Sequence, residues 1–308
     1  MSTIHAEMKA SCVLPVGNML GEGIVWCPRA QALYWTDIQS ATLWCYHPTD
    51  GISTHWPMPE RLASFALCER PDWLLLGLAS RLAFLHLPSG QLETVCEVEP
   101  KLPTRLNDGT CDREGRFVFG TLHEPADGGP KQPIASFHRL NTDLSLQRLE
   151  LDRVAISNSL AFSPDGRTMY FCDSPTRIIQ RCAYHADGTL DSAENWLDLR
   201  ALAGEPDGST VDADGGLWNA QWGMGRVVRY LPDGREDLVV NVPARQPTRP
   251  ALGGDALDTL YVTSARDGLS AQALHEDPQA GHLFALKLAV RGLPESRFAG
   301  SPRTAEVV

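Results

Sequence analysis

The sequence lacks several features that mark common classes of protein. Its eight cysteines include no Cys-x-x-Cys pair, whereas disulfide frameworks and structural zinc sites usually pair their cysteines at recognisable spacings. We therefore expect reduced thiols. No apolar run approaches the roughly 18 residues of a membrane span. The start of the chain lacks the basic segment and apolar stretch of a signal peptide, so we expect a cytoplasmic protein.

Basic residues are scarce as well. Lys and Arg total 27 against 38 Asp and Glu, which gives a formal net charge of −11. Nucleic acids and anionic membranes attract clustered Lys and Arg, so we expect neither as a partner. A small molecule is the expected partner, and the composition does not predict an oligomeric state.

Motifs of two hydrolase classes are also missing. No serine lies in a G-x-S-x-G elbow, and no histidines form H-E-x-x-H, which argues against a serine esterase and a zincin. Long helical periodicity is nearly absent, and the best candidates, residues 193–203 and 268–277, resemble loops with one helical turn. The chain is therefore predicted to be all-β.

A repeated β-hairpin is present instead, in which a short alternating strand, a turn rich in Asp, Pro and Gly, and a second strand follow one another. Four clear copies begin at Glu22, Asn107, Asn158 and Asp207, with turn residues eight positions later at Ala30, Gly115, Gly166 and Gly215. Two weaker copies begin near Ser64 and Pro250.

The spacing of these six copies, about 40 to 50 residues, is that of four-stranded propeller blades. We predict a six-bladed β-propeller with four antiparallel strands per blade, forming one domain over residues 1–308 with short extensions at both ends. A β-sandwich is the competing fold, but sandwiches lack a hairpin that recurs at this period.

In a propeller the innermost strands line a central channel, so equivalent positions of the repeats converge. Glu22, Asn107, Asn158 and Asp207 would then present oxygen atoms at one mouth. Carboxylates held together repel each other unless a cation lies among them, and hard divalent cations prefer such ligands. The alternative is that Asn and Asp only begin strands after turns, where their local hydrogen bonds favour them.

Four motifs carry a family resemblance, and they are LGEGIVW, RLNDGTCDREGRFVFGTL, ISNSLAFSPDGRTMYFCDS and EPDGSTVDADGGLWNA. The chain resembles the regucalcin (senescence marker protein) and gluconolactonase family of six-bladed propellers from about residue 21 to 261. This resemblance implies one divalent metal ion bound by Glu22, Asn158 and Asp207. It also implies that Arg105 and Asn107 contact a sugar, which moves Asn107 from the metal to the substrate.

One segment, GTLHEPADGGPKQP, departs from the family pattern. Relatives can place a second substrate-contacting carboxylate soon after the G-T-(M/L) element. Here Glu124 is the nearby carboxylate and a predicted substrate contact, although Pro125 fills the family's position. The sugar preference is therefore open. The metal is open too: Ca²⁺ or Zn²⁺ is expected first, and Mn²⁺, Mg²⁺ and Fe²⁺ also suit this ligand set.

The function implied by the resemblance is hydrolysis of a sugar lactone to the aldonic acid. The metal would polarise the carbonyl, and Asp207 would be the general base for the attacking water. A metal-bound hydroxide is the alternative nucleophile. L-Arabinono-1,4-lactone is the first expected substrate, followed by glucono-, xylono- and galactono-lactones. The alternatives are a calcium-binding regulatory propeller and a hydrolase of another ester such as an organophosphate.

Overall fold

The computed structural model describes residues 8–303, and nearly all of its regular structure is β-strand. The strands before and within the first three blades are β1 Met8–Lys9, β2 Ser11–Leu14, β3 Gly21–Cys27, β4 Ala32–Asp37, β5 Thr42–His47, β6 Ile52–Pro57, β7 Leu62–Leu67, β8 Trp73–Leu78, β9 Arg81–His86, β10 Gln91–Glu97, β11 Thr104–Cys111, β12 Phe117–His123, β13 Phe137–Leu140 and β14 Leu146–Arg148. The strands of the last three blades are β15 Ser157–Phe162, β16 Thr168–Asp173, β17 Ile178–Ala183, β18 Glu194–Asp198, β19 Glu205–Val211, β20 Leu217–Trp222, β21 Arg226–Tyr230, β22 Glu236–Asn241, β23 Pro247–Gly253, β24 Thr259–Ser264 and β25 Leu283–Lys287.

These strands form six antiparallel sheets in chain order, beginning with β3-β4-β5-β6 and ending with β23-β24-β25. The chain's own beginning completes the sixth blade, because β2 pairs with β25. Strand β1 adds to the fifth blade, parallel to β22. The predicted six-bladed propeller is confirmed, and the predicted N-terminal extension supplies the strand that closes the ring.

The hairpin turns agree with the predicted repeat in three of the four clear copies. Gly115, Gly166 and Gly215 have φ of 76°, 71° and 84°, values that favour glycine. In the first blade the left-handed residue is Gln31, with φ 49°. The predicted turn residue, Ala30, lies in this same turn, next to Gln31.

Helical structure is limited to two short elements in residues 8–303. The predicted helical turn within residues 268–277 is the helix α1, Ala271–Glu276, capped by the Ser270 side chain. A 3₁₀ helix covers Ser174–Thr176. Residues 193–203 contain β18 instead, whose Leu197 is buried against the fifth blade. Neither α1 nor the 3₁₀ helix is long and apolar enough to cross a membrane.

The hydrophobic core lies between neighbouring blades. Between blades two and three, Trp73, Phe84 and Phe117 pack in one cluster. At the closure of the ring, Trp26 of β3 stacks on Tyr261 of β24 with ring centroids 6.3 Å apart. Burial of a large side chain of this kind stabilises the fold by about 2–3 kcal/mol. Each interface between neighbouring blades therefore contributes to the stability of the ring.

A register shift interrupts the pairing near the start of every innermost strand. In five blades two residues oppose one, and these bulged pairs are Gly23 with Ile24, Asn107 with Asp108, Ser159 with Leu160, Asp207 with Gly208, and Thr248 with Arg249. A β-bulge bends the strand and changes the direction of its side chains. The bulges therefore form a ring of altered backbone at the channel mouth.

The end of the chain crosses the opposite end of the ring, where the innermost strands finish. The amide of Ala213 donates to the carbonyl of Arg291 at 2.9 Å, and that of Phe298 donates to Leu67 at 2.8 Å. The Phe298 side chain is completely buried. This floor segment, residues 288–303, links blade five to blade two.

Candidate active site

A cavity of about 260 Å³ lies at the end of the channel where the innermost strands begin. It is lined by five of the predicted site residues, which are Glu22, Arg105, Asn107, Asn158 and Asp207. They come from four different blades, so the repeat alignment identified residues that the fold brings together. Trp222, Ile38, Leu20 and Ile156 add apolar surface to the wall.

Two carboxylates, those of Glu22 and Asp207, interact directly in the cavity wall. Removal from water raises the pKa of Asp207 well above its usual range, and the charges of Glu22 and then Glu205 raise it further. Desolvation also raises the pKa of Glu22, although the positive charge of Arg249 opposes this rise. The two carboxyl groups therefore favour a state in which they share a proton. A bound cation could neutralise their charge in place of that proton.

The amide of Asn158 is oriented by its neighbours. Its Nδ2 donates to Ser174 Oγ at 2.9 Å, and Ser174 Oγ donates in turn to the carbonyl of Pro206 at 2.8 Å. Asn107 Nδ2 donates to the carbonyl of Ser157 at 2.8 Å and to Asn158 Oδ1 at 3.3 Å. These bonds fix the two amides beside each other in the cavity wall.

The backbone at Asp207 is held by two side chains that the sequence did not single out. Ser159 Oγ donates to the Asp207 carbonyl at 2.6 Å, and Asn219 Nδ2 donates to it at 3.0 Å. Ser159 has φ 59°, an uncommon backbone conformation for a residue with a Cβ atom. Ser159 belongs to the bulged pair Ser159 with Leu160, and a bulge follows from the pairing of strands, so sequence reasoning missed this role.

The donor set of this wall suits a hard divalent cation. It offers two carboxylates and one amide oxygen, which are common ligands of such ions. Within residues 8–303 no group of three or more His, Cys, Asp or Glu side chains is arranged to hold a metal, and the predicted ligand set combines the two carboxylates with the amide of Asn158. The interacting carboxylates are the observation that favours a cation here.

Arg105 lies deep in the wall beside these groups and is only 7% exposed. Its Nη1 donates to the carbonyl of Leu106 at 2.8 Å and to Asn107 Oδ1 at 3.0 Å. Burial lowers its pKa to about 10, so the guanidinium stays charged near neutral pH. Arg105 therefore provides a fixed, positively charged donor in the cavity.

Glu124 faces a neighbouring blade rather than the cavity. Both of its oxygens accept hydrogen bonds from Arg61, at 2.6 and 2.5 Å. Its Oε1 also lies 3.5 Å from Arg105 Nε. Of the six predicted site residues, Glu124 is the one that the structure does not place in the cavity wall; its substrate contact stays a prediction.

Comparison with known proteins assigns the chain to a family. Residues 20–266 match the model of the SMP-30/Gluconolactonase/LRE-like region. The chain belongs to this family. The matched span begins two residues before Glu22 and contains all six predicted site residues.

Named members of the SMP-30/gluconolactonase family resemble the chain along nearly its whole length. L-Arabinolactonase of Azospirillum brasilense is 52% identical over 303 residues, which cover 98% of this chain and 100% of that protein. The 6-deoxy-6-sulfogluconolactonase of Pseudomonas putida is 36% identical, over 94% of this chain and 98% of its own length. The crystal structure of a calcium-binding protein, regucalcin, from Agrobacterium tumefaciens superimposes with a TM-score of 0.89 at 29% identity, covering 96% of this chain and 99% of that one.

In this member of the SMP-30/gluconolactonase family, a buried ion pair lies close to the carboxylates. Arg249 and Asp108, which are 5% and 6% exposed, form it across the channel. The second oxygen of Asp108 accepts the Leu160 amide at 2.8 Å. Arg249 also faces the charge of Glu22 above and of Glu295, in the floor segment, below. A single guanidinium thus balances several acids in the channel.

A second polar network supports the start of β11, which carries Arg105. Glu99 accepts hydrogen bonds from Thr104 at 2.7 Å and Thr121 at 2.8 Å, and it lies 3.2 Å from His138 Nε2. Burial alone would raise the pKa of Glu99, but these bonds outweigh that effect and lower it to about 2. Glu99 therefore stabilises the fold as a carboxylate.

Replacing Glu99 by Gln should remove this stabilisation. A carboxyl whose pKa falls on folding adds stability above its ordinary value of 4.5, and this contribution is lost as the pH falls towards about 2. We expect Glu99→Gln to lower the free energy of unfolding by about 2 kcal/mol at pH 7. Urea unfolding from pH 7 to pH 3 checks this, since the difference from wild type should shrink with pH. Glu97→Gln, at an exposed position of β10, is the control, and a difference that is independent of pH would contradict the prediction.

Proposed function

We propose that the protein is a metal-dependent hydrolase that opens a sugar lactone to the aldonic acid. The observation that carries this proposal is the juxtaposition in one cavity of the Glu22 and Asp207 carboxylates with the donors Arg105 and Asn107. The first group suits a cation beside an ester carbonyl, and the second suits the hydroxyl groups of a sugar. Resemblance to named sugar lactonases over nearly the whole chain supports the same conclusion.

We assign the metal ligands as Glu22, Asn158 and Asp207, with Ca²⁺ or Zn²⁺ expected before Mn²⁺, Mg²⁺ and Fe²⁺. Ca²⁺ has the support of the similar regucalcin from A. tumefaciens, which is a calcium-binding protein. A divalent cation bound here would polarise the lactone carbonyl and stabilise negative charge on its oxygen. Arg105 and Asn107 would orient the sugar; Glu124, whose Oε1 lies 3.5 Å from Arg105 Nε, is kept as a proposed substrate contact beside them.

In this assignment Asp207 is the general base. Its carboxylate takes a proton from a water molecule as the water oxygen bonds to the carbonyl carbon. The bond from that carbon to the ring oxygen then breaks, and Asp207 returns the proton to the ring oxygen to give the hydroxy acid. Desolvation raises the pKa of Asp207, and a carboxylate with a raised pKa is a stronger base than one in water.

L-Arabinono-1,4-lactone is the proposed first substrate, since the A. brasilense relative is an L-arabinolactonase. Glucono-, xylono- and galactono-lactones follow. The cavity of about 260 Å³ suits a ligand of a few carbon atoms, and its charged wall favours hydroxyl groups over a long acyl chain. The eight cysteines are free thiols, which supports a reducing compartment such as the cytoplasm.

The test is acid release from a panel of aldono-1,4- and 1,5-lactones, measured with chelated protein and after adding back each divalent ion. We expect turnover only with metal, fastest on L-arabinono-1,4-lactone. The restoring ion should also stabilise the fold by about 2.7 kcal/mol when present at a hundred times its Kd. Stabilisation by Ca²⁺ without turnover of any lactone would instead favour a calcium-binding regulatory protein.

A further inference from the structure

Three charged residues that line the cavity have no role in the proposed reaction, and Lys131 is the cation among them; the other two are Glu205 and Asp267. Lys131 lies in the segment that joins β12 to β13, and its side chain lines the same cavity as Arg105 and Asp207. The chain has only four lysines, at positions 9, 101, 131 and 287. Because lysine is rare in this chain, a lysine in the cavity wall calls for a specific explanation.

The position of Lys131 is fixed by His123, the last residue of β12. Lys131 Nζ donates to the His123 carbonyl at 3.0 Å, and the next amide, that of Gln132, donates to His123 Nδ1 at 2.7 Å. The ammonium group carries three N–H donors, and the bond to His123 uses one of them. The group is thus held at the cavity mouth with further capacity to donate.

Glu124, in the same segment, points elsewhere. Because both of its oxygens are bonded to Arg61, the charged side chain that this segment presents to the cavity is Lys131. Arg105 and Lys131 line the same cavity, and burial together with the positive charge of Arg105 lowers the pKa of Lys131. Their part of the wall belongs to blade three, whereas Glu22 and Asp207 belong to blades one and five, on either side of blade six.

We propose that Lys131 is a specificity-determining residue that donates hydrogen bonds to sugar hydroxyl groups at the end of the lactone remote from the reacting carbonyl. This inference rests on the proposed lactone hydrolysis. The carbonyl would lie at the carboxylates of blades one and five, so the rest of the sugar would extend towards the wall of Arg105 and Lys131. An ammonium group donates but does not accept, which suits hydroxyl oxygen atoms.

The kinetic test compares Lys131→Met with wild type on L-arabinono-1,4-lactone. A bond made equally in ground state and transition state changes KM and leaves kcat nearly unchanged. We expect KM to rise about tenfold or more, as for loss of a charged hydrogen bond, with partial recovery in Lys131→Arg. Lys287→Met is the matched control, because Lys287 pairs with Asp258 on the outside of blade six. Its KM should equal that of wild type.

A second measurement distinguishes a direct contact between Lys131 and the sugar from a role in which Lys131 only holds its own loop in place. Acetylation of the lysines, followed by mass spectrometry, should slow at Lys131 when saturating L-arabinonate is present, while Lys101 and Lys287 serve as internal references. A role limited to holding the loop predicts no protection. Wild-type KM in Lys131→Met, or equal labelling with and without L-arabinonate, overturns this inference alone. A wild-type protein that hydrolyses no lactone overturns the proposed function and this inference with it.

Discussion

Asp207→Asn should abolish lactone hydrolysis and at the same time make the metal-free protein more stable. Loss of a general base typically costs about a hundred- to ten-thousandfold in rate, and here a proposed metal ligand is also weakened. The gain in stability follows from the contact of the Asp207 and Glu22 carboxylates, because desolvation disfavours the charged form of both and the charge of Glu22 further disfavours that of Asp207. A neutral amide at position 207 removes one of the two charges.

We expect a gain of about 1–2 kcal/mol in the free energy of unfolding of chelated protein at pH 7. Thermal unfolding with and without metal measures this directly. Wild type should gain stability when metal is added, whereas Asp207→Asn should gain much less, so the order of the two melting temperatures should reverse. Asp258→Asn, at an ion pair on the outside of blade six, should leave both activity and metal response unchanged. Substantial activity in Asp207→Asn, or a lower metal-free melting temperature, would contradict the assignment.

Arg249→Met should cause a large loss of stability. Arg249 is buried and pairs with Asp108, and it also faces the charges of Glu22 and Glu295. Removing one member of a buried ion pair costs about 3–5 kcal/mol, because the remaining charge is left without compensation. Methionine keeps an unbranched side chain in place, so the loss should come mainly from the charge.

Urea unfolding of chelated protein checks this prediction. The double variant Arg249→Met with Asp108→Asn should recover part of the loss, since the uncompensated carboxylate of Asp108 is then gone. Arg249→Lys is a second comparison: it keeps the charge but lacks the planar guanidinium, so it should fall between wild type and Arg249→Met. A loss below about 1 kcal/mol in Arg249→Met would mean that water or a change in protonation compensates the acids.

The sequence was sufficient to predict the propeller and to identify five residues that line one cavity, because both depend on the hairpin repeat. Glu22, Asn158 and Asp207 begin equivalent strands, and equivalent strands begin at the same end of the ring. This reasoning needs only the position of each turn, which the glycines at 115, 166 and 215 mark clearly. Ala30 lies in the corresponding turn of the first blade.

Arg249 shows where the repeat pattern was insufficient. The sixth copy was aligned from Pro250, but the bulge in β23 leaves Thr248 and Arg249 opposite a single residue of β24. A shift of one residue changes which side chain faces the channel. Bulges depend on how neighbouring strands pair, and that information is not contained in one hairpin.

Glu124 and Lys131 illustrate a different limit. Glu124 bonds to Arg61, which is 63 residues earlier in the chain, and Lys131 lies in a loop without periodicity. The directions of these side chains follow from contacts between blades. Residue type and local spacing therefore do not predict them.

The closure of the ring also determines when the protein can finish folding during synthesis. Strand β2 is synthesised before the first blade, yet its partner β25 is complete only at residue 287. For most of translation the first blade lacks the neighbour on which Trp26 stacks, and β2 has no strand to join. The floor segment is made later still, so the two ends of the chain set the last steps of assembly. If synthesis stopped within the sixth blade, the ring would stay open and two of its edges would be unprotected. Such an open ring is a target for proteases and chaperones.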